Sequence, residues 1–212
     1  MKDLVIVGAG GLGREVAWSI ERINAAAPAP RWRIVGFADD APDKESGVFA
    51  GRPLLGSCAK AARDWPDADF FIAVGDNKTR QKIASSLDGR AFPSIVDPSA
   101  DIAPTASVSR GVFVGPRAVV SVDAKIGSFA IVNARAGVGH DSCLGAFSQV
   151  CPGASLSGAT TLGECAFVGT NACTLPGVSV GDDAKIAAGT SAYCNVPGGA
   201  TLSPFGTLKN PA

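Results

Sequence analysis

The most regular feature of the sequence is a large aliphatic residue at every sixth position between Ile102 and Ile186. Only Thr174 interrupts the series, and a small residue such as Ala124 or Ala130 stands four positions after nearly every member. A period of six matches neither the 3.6-residue repeat of an α-helix nor the alternation of an ordinary β-strand. It is typical of a parallel β-helix, in which successive coils stack their inward aliphatic side chains into columns. The members are Ile102, Val108, Val114, Val120, Ile126, Val132, Val138, Leu144, Val150, Leu156, Leu162, Val168, Val180 and Ile186.

The spacing of glycines indicates how many hexapeptides make one coil. Gly127, Gly145, Gly163 and Gly181 are 18 residues apart, so three hexapeptides per coil place them in one column, where we expect tight turns with positive φ. The repeat then predicts a triangular prism of about five coils, roughly 25 Å tall at the spacing of stacked strands. Its handedness does not follow from these residues. The tail over 192–212 loses the period, and we expect it to cap the prism.

The first 95 residues carry a different pattern, in which apolar strands alternate with amphipathic helical stretches. A strand over 2–8 runs directly into the glycine turn G-A-G-G-L-G at 8–13 and then into a helix over 14–24. Two further strands are predicted over 33–38 and 70–74, and the second leads into a helix in which we expect Arg80 to be solvated. This order predicts a small Rossmann-like parallel sheet with ligands at the carboxyl ends of its strands.

The predicted organisation is therefore an α/β domain over 1–95, a hinge over 89–101, and an all-β parallel β-helix over 96–212. With 46% hydrophobic and 18% charged residues, the chain is a well-buried globular protein. Nineteen basic residues balance nineteen acidic ones, which offers no broad electrostatic surface for nucleic acid. No apolar stretch approaches the roughly 20 residues of a membrane span, so we expect no membrane insertion and a cytoplasmic location. The six cysteines form no C-x-x-C pair, and we expect reduced thiols and no metal site.

Four motifs resemble one family of bacterial sugar acyltransferases built on a hexapeptide prism. They are V-I-V-G-A-G-G-L-G, G-F-A-D-D, F-I-A-V-G-D-N-K-T-R and, inside the repeat, N-A-R-A-G-V-G-H-D-S-C-L-G-A-F-S-Q-V-C-P-G. The family includes sialic acid O-acetyltransferases and the N-acetyltransferases of nucleotide-linked amino sugars, and the resemblance covers nearly the full chain. It implies a left-handed β-helix, a homotrimer with active sites between neighbouring prisms, and acetyl-CoA as the acyl donor.

The resemblance makes His140 the centre of the chemistry. It is the only histidine in the sequence, and the matching histidine of the family is the general base. A neutral imidazole can take the proton that an amine or hydroxyl loses as it attacks a thioester. In the family an acidic residue at the position of Asp141 orients this imidazole. A solvated structural histidine and an ordinary turn residue are the alternatives.

Three further positions and one glycine are predicted to contact the acyl donor. Gly158 stands 18 residues after His140, where a backbone N–H could bind the oxyanion, although a glycine used merely for a turn is the alternative. In the family the donor lies along the prism at positions that correspond to Gln149, Thr170 and Ala188. Gln149 departs from the family, in which a second histidine is common there, and the ending S-P-F-G also departs from the family pattern.

The glycine turn predicts a nucleotide site in the first domain. A G-x-G-x-x-G sequence between a strand and a helix can cradle phosphates at the helix N-terminus, and about 95 residues are too few for a full dinucleotide fold, which favours a mononucleotide. The resemblance implies a nucleotide-linked sugar there. Glycines used only for packing, and aspartates of an ordinary strand-ending turn, are the alternatives. The predicted ligand contacts are Gly10, Gly11, Leu12, Asp39, Asp40 and Gly75.

These features predict an acetyl-CoA-dependent N-acetyltransferase that acts on the amino group of a nucleotide-linked amino sugar in bacterial glycan biosynthesis. Transfer would be direct, with His140 as general base. A sugar O-acetyltransferase of the sialic acid type is the nearest alternative, because nothing in the sequence separates amine from hydroxyl acceptors. A non-catalytic nucleotide-binding scaffold is a second alternative, and a nicotinamide-dependent reductase, suggested by the glycines alone, is a third.

Overall fold

A computed structural model of the chain describes residues 1–41 and 47–209, which separate into two compact units, Met1–Pro98 and Ser99–Ala212. None of the helices within these ranges has the length and apolarity needed to cross a membrane. In the first unit the elements are, in chain order, β1 Lys2–Val7, α1 Gly11–Ala26, β2 Trp32–Ala38, β3 Val48–Phe49, β4 Arg52–Pro53, α2 Cys58–Asp64, β5 Asp69–Ile72, α3 Asn77–Ser86 and β6 Ile95–Val96.

The first unit is built on a parallel sheet with strand order β2-β1-β5. The central strand β1 is apolar and fully buried from Leu4 to Val7, as expected for a strand that is covered on both faces. Helix α1 buries Val16, Ile20 and Ile23 and packs on β1 and β2. The α/β fold predicted for this part of the chain is confirmed, and the carboxyl ends of its three strands meet at one edge.

The second unit is a parallel β-helix, as the six-residue period predicted. One two-residue strand occurs in each hexapeptide. These strands are β7 Asp101–Ile102, β8 Ser107–Val108, β9 Phe113–Val114, β10 Val119–Val120, β11 Lys125–Ile126, β12 Ile131–Val132, β13 Gly137–Val138, β14 Cys143–Leu144, β15 Gln149–Val150, β16 Ser155–Leu156, β17 Thr161–Leu162, β18 Phe167–Val168, β19 Cys173–Thr174, β20 Ser179–Val180, β21 Lys185–Ile186 and β22 Ser191–Ala192.

Every third strand pairs in parallel with an offset of 18 residues, so that Val120 lies beside Val138 and Val138 beside Leu156. Three hexapeptides therefore make one coil, as predicted. We call the stack β7-β10-β13-β16-β19-β22 the first face, the stack β8-β11-β14-β17-β20 the second face, and the stack β9-β12-β15-β18-β21 the third face. The turns that follow each face form the first, second and third corners. A hairpin of β23 Ala200–Ser203 and β24 Gly206–Lys209 continues the third face beyond β21.

The interior of the prism holds the two columns that the sequence pattern predicted. The aliphatic series is buried from Val114 to Ile186, and small residues such as Ala124 and Ala130 are fully buried beside it. Thr174, the interruption of the series, is also in the interior and is 2% exposed.

The predicted reason for the glycine column was wrong. Left-handed φ occurs at the third residue after each aliphatic position from Val108 onward, where non-glycine residues such as Arg117 and Asp123 both have φ of 58°. The column glycines do not have positive φ. Instead, a Cβ atom on Gly145 would lie 2.6 Å from the backbone of Gly163 in the next coil. These glycines are needed because successive backbones approach closely at this corner.

Candidate active site

His140 lies at the first corner, in the turn between β13 and β14. Its side chain is 62% exposed, and its Nδ1 atom lies 2.7 Å from Oδ2 of Asp141, whose side chain is 61% exposed. Because an ionised carboxylate can only accept, Nδ1 donates this hydrogen bond and Nε2 of the neutral ring keeps its lone pair. Asp141 has the left-handed φ of 59° that recurs in these turns. The turn therefore presents an accessible, oriented imidazole at the surface.

Gly158 occupies the equivalent place in the next coil, directly against the ring of His140. A Cβ atom built on Gly158 would overlap Nε2 of His140 and would lie 2.5 Å from Cε1 and 2.9 Å from Cδ2. The imidazole thus fills the space that any side chain at position 158 would need. Gly158 does not have positive φ, so the turn conformation alone does not require a glycine here.

Three buried hydroxyl groups lie inside the prism below the first corner, and the sequence analysis assigned them no role. They belong to Ser142, Thr160 and Thr174, which are 0%, 0% and 2% exposed. The hydroxyls of Thr160 and Ser142 donate to the carbonyl oxygen of Ser157 at 2.8 and 3.2 Å, and the N–H of Ser157 donates to Oγ1 of Thr174 at 3.1 Å. The interruption of the aliphatic series at Thr174 is the sequence signal that pointed to this place.

The other predicted donor contacts lie on a different part of the prism. Thr170 and Ala188 are exposed and stand 18 residues apart at the third corner. Gln149 projects outward from the third face and is 7% exposed. Its Nε2 lies 3.4 Å from Sγ of Cys151, and its buried Oε1 has no hydrogen-bond partner among the described residues. A single prism therefore does not bring these three residues together with the His140 corner.

A cavity of about 660 Å³ lies at the carboxyl edge of the sheet in the first unit, within the size range of small-molecule sites. It brings together all six residues that were predicted to contact a nucleotide sugar. Thr79 and Ile83 of α3 also line it and were missed by the sequence analysis. The lining residues are Val7, Gly8, Gly10, Gly11, Leu12, Asp39, Asp40, Ala41, Cys58, Ala73, Val74, Gly75, Thr79 and Ile83.

The glycines of the first turn have different roles. Gly8 has φ of 102°, and a Cβ atom on Gly13 would overlap the carbonyl oxygen of Gly8. The backbone conformation therefore requires glycine at the first position, and packing requires it at the second. A Cβ atom on Gly10, Gly11 or Gly75 would meet nothing within 4 Å, and these three line the cavity. Gly10 is the N-cap of α1, so no capping side chain accepts from the first N–H groups of this helix. An uncapped helix N-terminus beside a cavity suits a phosphate group.

Asp39 and Asp40 stabilise the loops around the cavity through hydrogen bonds from backbone N–H groups. The two carboxylate oxygens of Asp39 accept from the N–H groups of Ala9 at 2.8 Å and Ala41 at 3.0 Å, and Oδ1 of Asp40 accepts from the N–H of Cys58 at 2.8 Å. Both side chains line the cavity. Burial, assisted by the hydrogen bond to Asp40, raises the pKa of the Cys58 thiol. Cys58 is thus a neutral part of the wall and not a nucleophile.

The prediction that Arg80 is solvated was wrong, because this side chain is 1% exposed. Its Nη1 donates to the carbonyl oxygen of Val74 at 2.7 Å, and its Nη2 donates to Oδ1 of Asn77 at 2.9 Å. Helix α3 places Asn77, Arg80 and Ala84 on its buried face, a spacing that helical periodicity could have revealed. The guanidinium holds the strand-to-helix turn that carries Gly75.

Comparisons with known proteins bear on both units. Residues 3–87 match the family described as PglD N-terminal domain. Among curated proteins, the UDP-N-acetylbacillosamine N-acetyltransferase of Bacillus subtilis (strain 168) is 32% identical over 119 residues, which cover 54% of this chain and 51% of that protein. The match thus spans about half the length of this curated relative.

Several solved structures match along nearly the whole chain, and two of them illustrate the likeness. The acetyltransferase domain of PglB from Neisseria gonorrhoeae FA1090, in complex with acetyl coenzyme A, is 31% identical with a TM-score of 0.88, over 99% of each chain. The chain belongs to the hexapeptide-repeat sugar acyltransferase family. A histidine-to-asparagine mutant of perosamine N-acetyltransferase from Caulobacter crescentus, in complex with CoA and GDP-perosamine, is 26% identical with a TM-score of 0.89, over 100% of this chain and 98% of that one. The resemblance inferred from the sequence motifs is confirmed.

Proposed function

We propose that this protein is an acetyl-CoA-dependent N-acetyltransferase that acts on the amino group of a nucleotide-linked amino sugar in bacterial glycan biosynthesis. The observation that carries the proposal is the exposed His140–Asp141 pair, with Nε2 lying against the bare backbone of Gly158. Both perosamine N-acetyltransferase and UDP-N-acetylbacillosamine N-acetyltransferase are N-acetyltransferases by name, which supports an amine rather than a hydroxyl acceptor. The cysteines are reduced thiols, which suit a reducing compartment, so we place the reaction in the cytoplasm.

The proposed chemistry at the first corner is direct acyl transfer. Nε2 of His140 takes a proton from the amino group while the amino nitrogen forms a bond to the thioester carbonyl carbon. The C–S bond then breaks, and the departing sulfur can receive the proton from His140. Asp141 keeps the proton on Nδ1, so that Nε2 remains the acceptor. The N–H of Gly158 donates to the carbonyl oxygen as negative charge develops on it.

The proposed role of the first unit is to hold the nucleotide in its cavity of about 660 Å³. Gly10 and Gly11 let phosphates approach the N-terminus of α1, because no Cβ atom intervenes. Asp39 and Asp40, which line the cavity, accept hydrogen bonds from the base or the sugar. Leu12 supplies apolar surface for a ring to pack on.

The proposal includes a homotrimer in which neighbouring prisms share each donor site. Thr170 and Ala188 lie at the third corner and His140 at the first, so a donor that contacts all three requires a second copy of the chain. Val119 and Val122, each 48% exposed, project from the first face and the first corner, and contact between copies would bury this apolar surface. Light scattering should therefore report three chains per particle. A fully active monomer would contradict this arrangement.

The test of the function is acyl transfer to a panel of UDP-, GDP- and dTDP-linked amino sugars, with loss of the thioester followed by absorbance. Mass spectrometry before and after mild alkali then identifies the product, because amides persist and esters are cleaved. An alkali-labile product would favour the O-acetyltransferase alternative.

His140→Ala should lower turnover by about 10² to 10⁴ while the melting temperature stays the same. Turnover within about threefold of the parent would contradict the assignment of the base. Release of no CoA with any sugar would favour the scaffold alternative. Thermal protection by NAD together with none by acetyl-CoA would favour the reductase alternative.

A further inference from the structure

The turn 157–160, which carries Gly158, is closed differently from most turns of the prism. In an ordinary turn a backbone bond joins the two ends, as when the N–H of Ala136 donates to the carbonyl oxygen of Asn133 at 3.0 Å. In the turn 157–160, the N–H of Thr160 donates instead to Oγ of Ser142 at 3.2 Å. The carbonyl oxygen of Ser157, which would close an ordinary turn, instead accepts hydrogen bonds from two buried hydroxyls.

The strand pairing next to this turn is altered as well. On the first face the N–H of Gly139 donates to the carbonyl oxygen of Leu156 in the next coil at 2.9 Å. The corresponding N–H of Ser157 donates to the side-chain oxygen of Thr174 at 3.1 Å. The register between β16 and β19 contains the Ser155–Cys173 pair alone. Side-chain hydroxyls thus take the place of backbone partners for both the N–H group and the carbonyl group of Ser157.

The three hydroxyls form a hydrogen-bonded chain in which each O–H group has an acceptor. Oγ1 of Thr160 and Oγ1 of Thr174 are 2.9 Å apart. Since the Thr160 hydroxyl donates to the carbonyl oxygen of Ser157, the Thr174 hydroxyl is the donor between the two threonines. Ser142 accepts from the N–H of Thr160 and donates to the same carbonyl oxygen. Buried hydroxyls without partners are costly, whereas a fully satisfied network stiffens its surroundings.

The network takes the place of the usual backbone bond in holding the orientation of the Ser157–Gly158 peptide. The carbonyl of Ser157 is directed inward, towards hydroxyls that are fully buried. In a trans peptide the C=O and N–H groups point in opposite directions, so the N–H of Gly158 is directed outward. It has no acceptor among the described residues, and the His140 ring lies where a Cβ atom of Gly158 would stand.

We propose that Ser142, Thr160 and Thr174 are positioning residues, which hold the Gly158 N–H towards the acyl oxygen of the donor. The inference rests on the proposed function, because it assigns the direction of a catalytic N–H group. It predicts that a core hydroxyl several bonds away from any substrate affects kcat rather than substrate affinity.

The test compares one substitution at two equivalent positions. Thr160 and Thr190 both stand four residues after an aliphatic position, but Oγ1 of Thr190 has no hydrogen-bond partner among the residues described. Thr160→Val should lower kcat by about tenfold, a partial loss of an oxyanion donor, with both KM values within about twofold. Thr190→Val should leave kcat unchanged, and Thr160→Ser, which keeps the hydroxyl, should retain the parent kcat. Equal kcat values in Thr160→Val and Thr190→Val would overturn the inference.

A second measurement does not depend on turnover. Labelling with ¹³C-carbonyl serine and ¹⁵N-glycine selects the two Ser-Gly pairs of the sequence, at 46–47 and 157–158, and the signal that Gly158→Ala removes belongs to Gly158. Thr160→Val should shift this signal, and Thr190→Val should not. An unshifted signal would overturn the inference even if kcat fell. If the signal shifts but the protein transfers no acyl group, the structural part of the inference stands. The proposed function is then refuted, and with it the catalytic role of the hydroxyls.

Discussion

Gly158→Ala adds a single methyl group at the place where the His140 ring lies. The added Cβ atom would overlap Nε2 and would lie 2.5 Å from Cε1, where ordinary contact begins at about 3.4 Å. The ring must therefore move by about 1 Å, and a misplacement of this size can cost about 10²-fold in rate. We expect kcat to fall by about 10²-fold, which corresponds to about 2.7 kcal/mol of activation free energy.

The same substitution should leave the fold intact. The φ angle of Gly158 is not in the left-handed region, and the His140 side chain, at 62% exposed, can move into solvent. We expect the free energy of unfolding to change by less than about 1 kcal/mol. Gly137→Ala on β13 is the matched control, because a Cβ atom there would meet only Oγ of Ser155 at 3.6 Å.

The assay is steady-state loss of the thioester, with thermal unfolding measured on the same samples. Because His140 is the only histidine, the Cε1–H group of its ring gives a single NMR signal, which should shift in Gly158→Ala and stay in place in Gly137→Ala. The reasoning is refuted if the two variants have equal kcat values, or if the histidine signal does not respond to the methyl group at position 158.

Three further predictions concern other groups. Asp141→Asn should lower kcat by about tenfold, because the amide oxygen accepts from Nδ1 more weakly than a carboxylate does; a value equal to that of the parent would remove Asp141 from the mechanism. Arg80→Met should lower the free energy of unfolding by about 2–4 kcal/mol in urea titrations, since it leaves buried acceptors such as the Val74 carbonyl without their donor. The raised pKa of Cys58 means that the thiol ionises first in the unfolded chain, so stability should fall as pH rises above about 8.5. Cys58→Ala should make this fall shallower, and an unchanged slope would contradict the assigned burial effect.

The resemblance to the family supplied most residues of the candidate site, and coil arithmetic added one more. A coil of 18 residues places Gly158 against His140, and the same arithmetic puts Thr170 under Ala188. It could not assign the contact itself, because the direction of an exposed ring depends on its rotamer and on its hydrogen bond to Asp141. The interruption of the aliphatic series at Thr174 was visible, but its purpose and the roles of Ser142 and Thr160 were not.

By itself, the sequence determined the parallel β-helix and the small α/β sheet. Each hexapeptide repeats the same inward aliphatic and small residues, and each strand of the sheet is a nearly continuous apolar run, so local pattern and global packing agree. Only the tertiary structure decided that Arg80 is buried, that Gly10 and Gly11 face a cavity while Gly13 serves packing, and that buried hydroxyls donate to the carbonyl oxygen of Ser157. These features depend on which backbone groups meet across elements distant in sequence, and the identity of a residue does not contain that information.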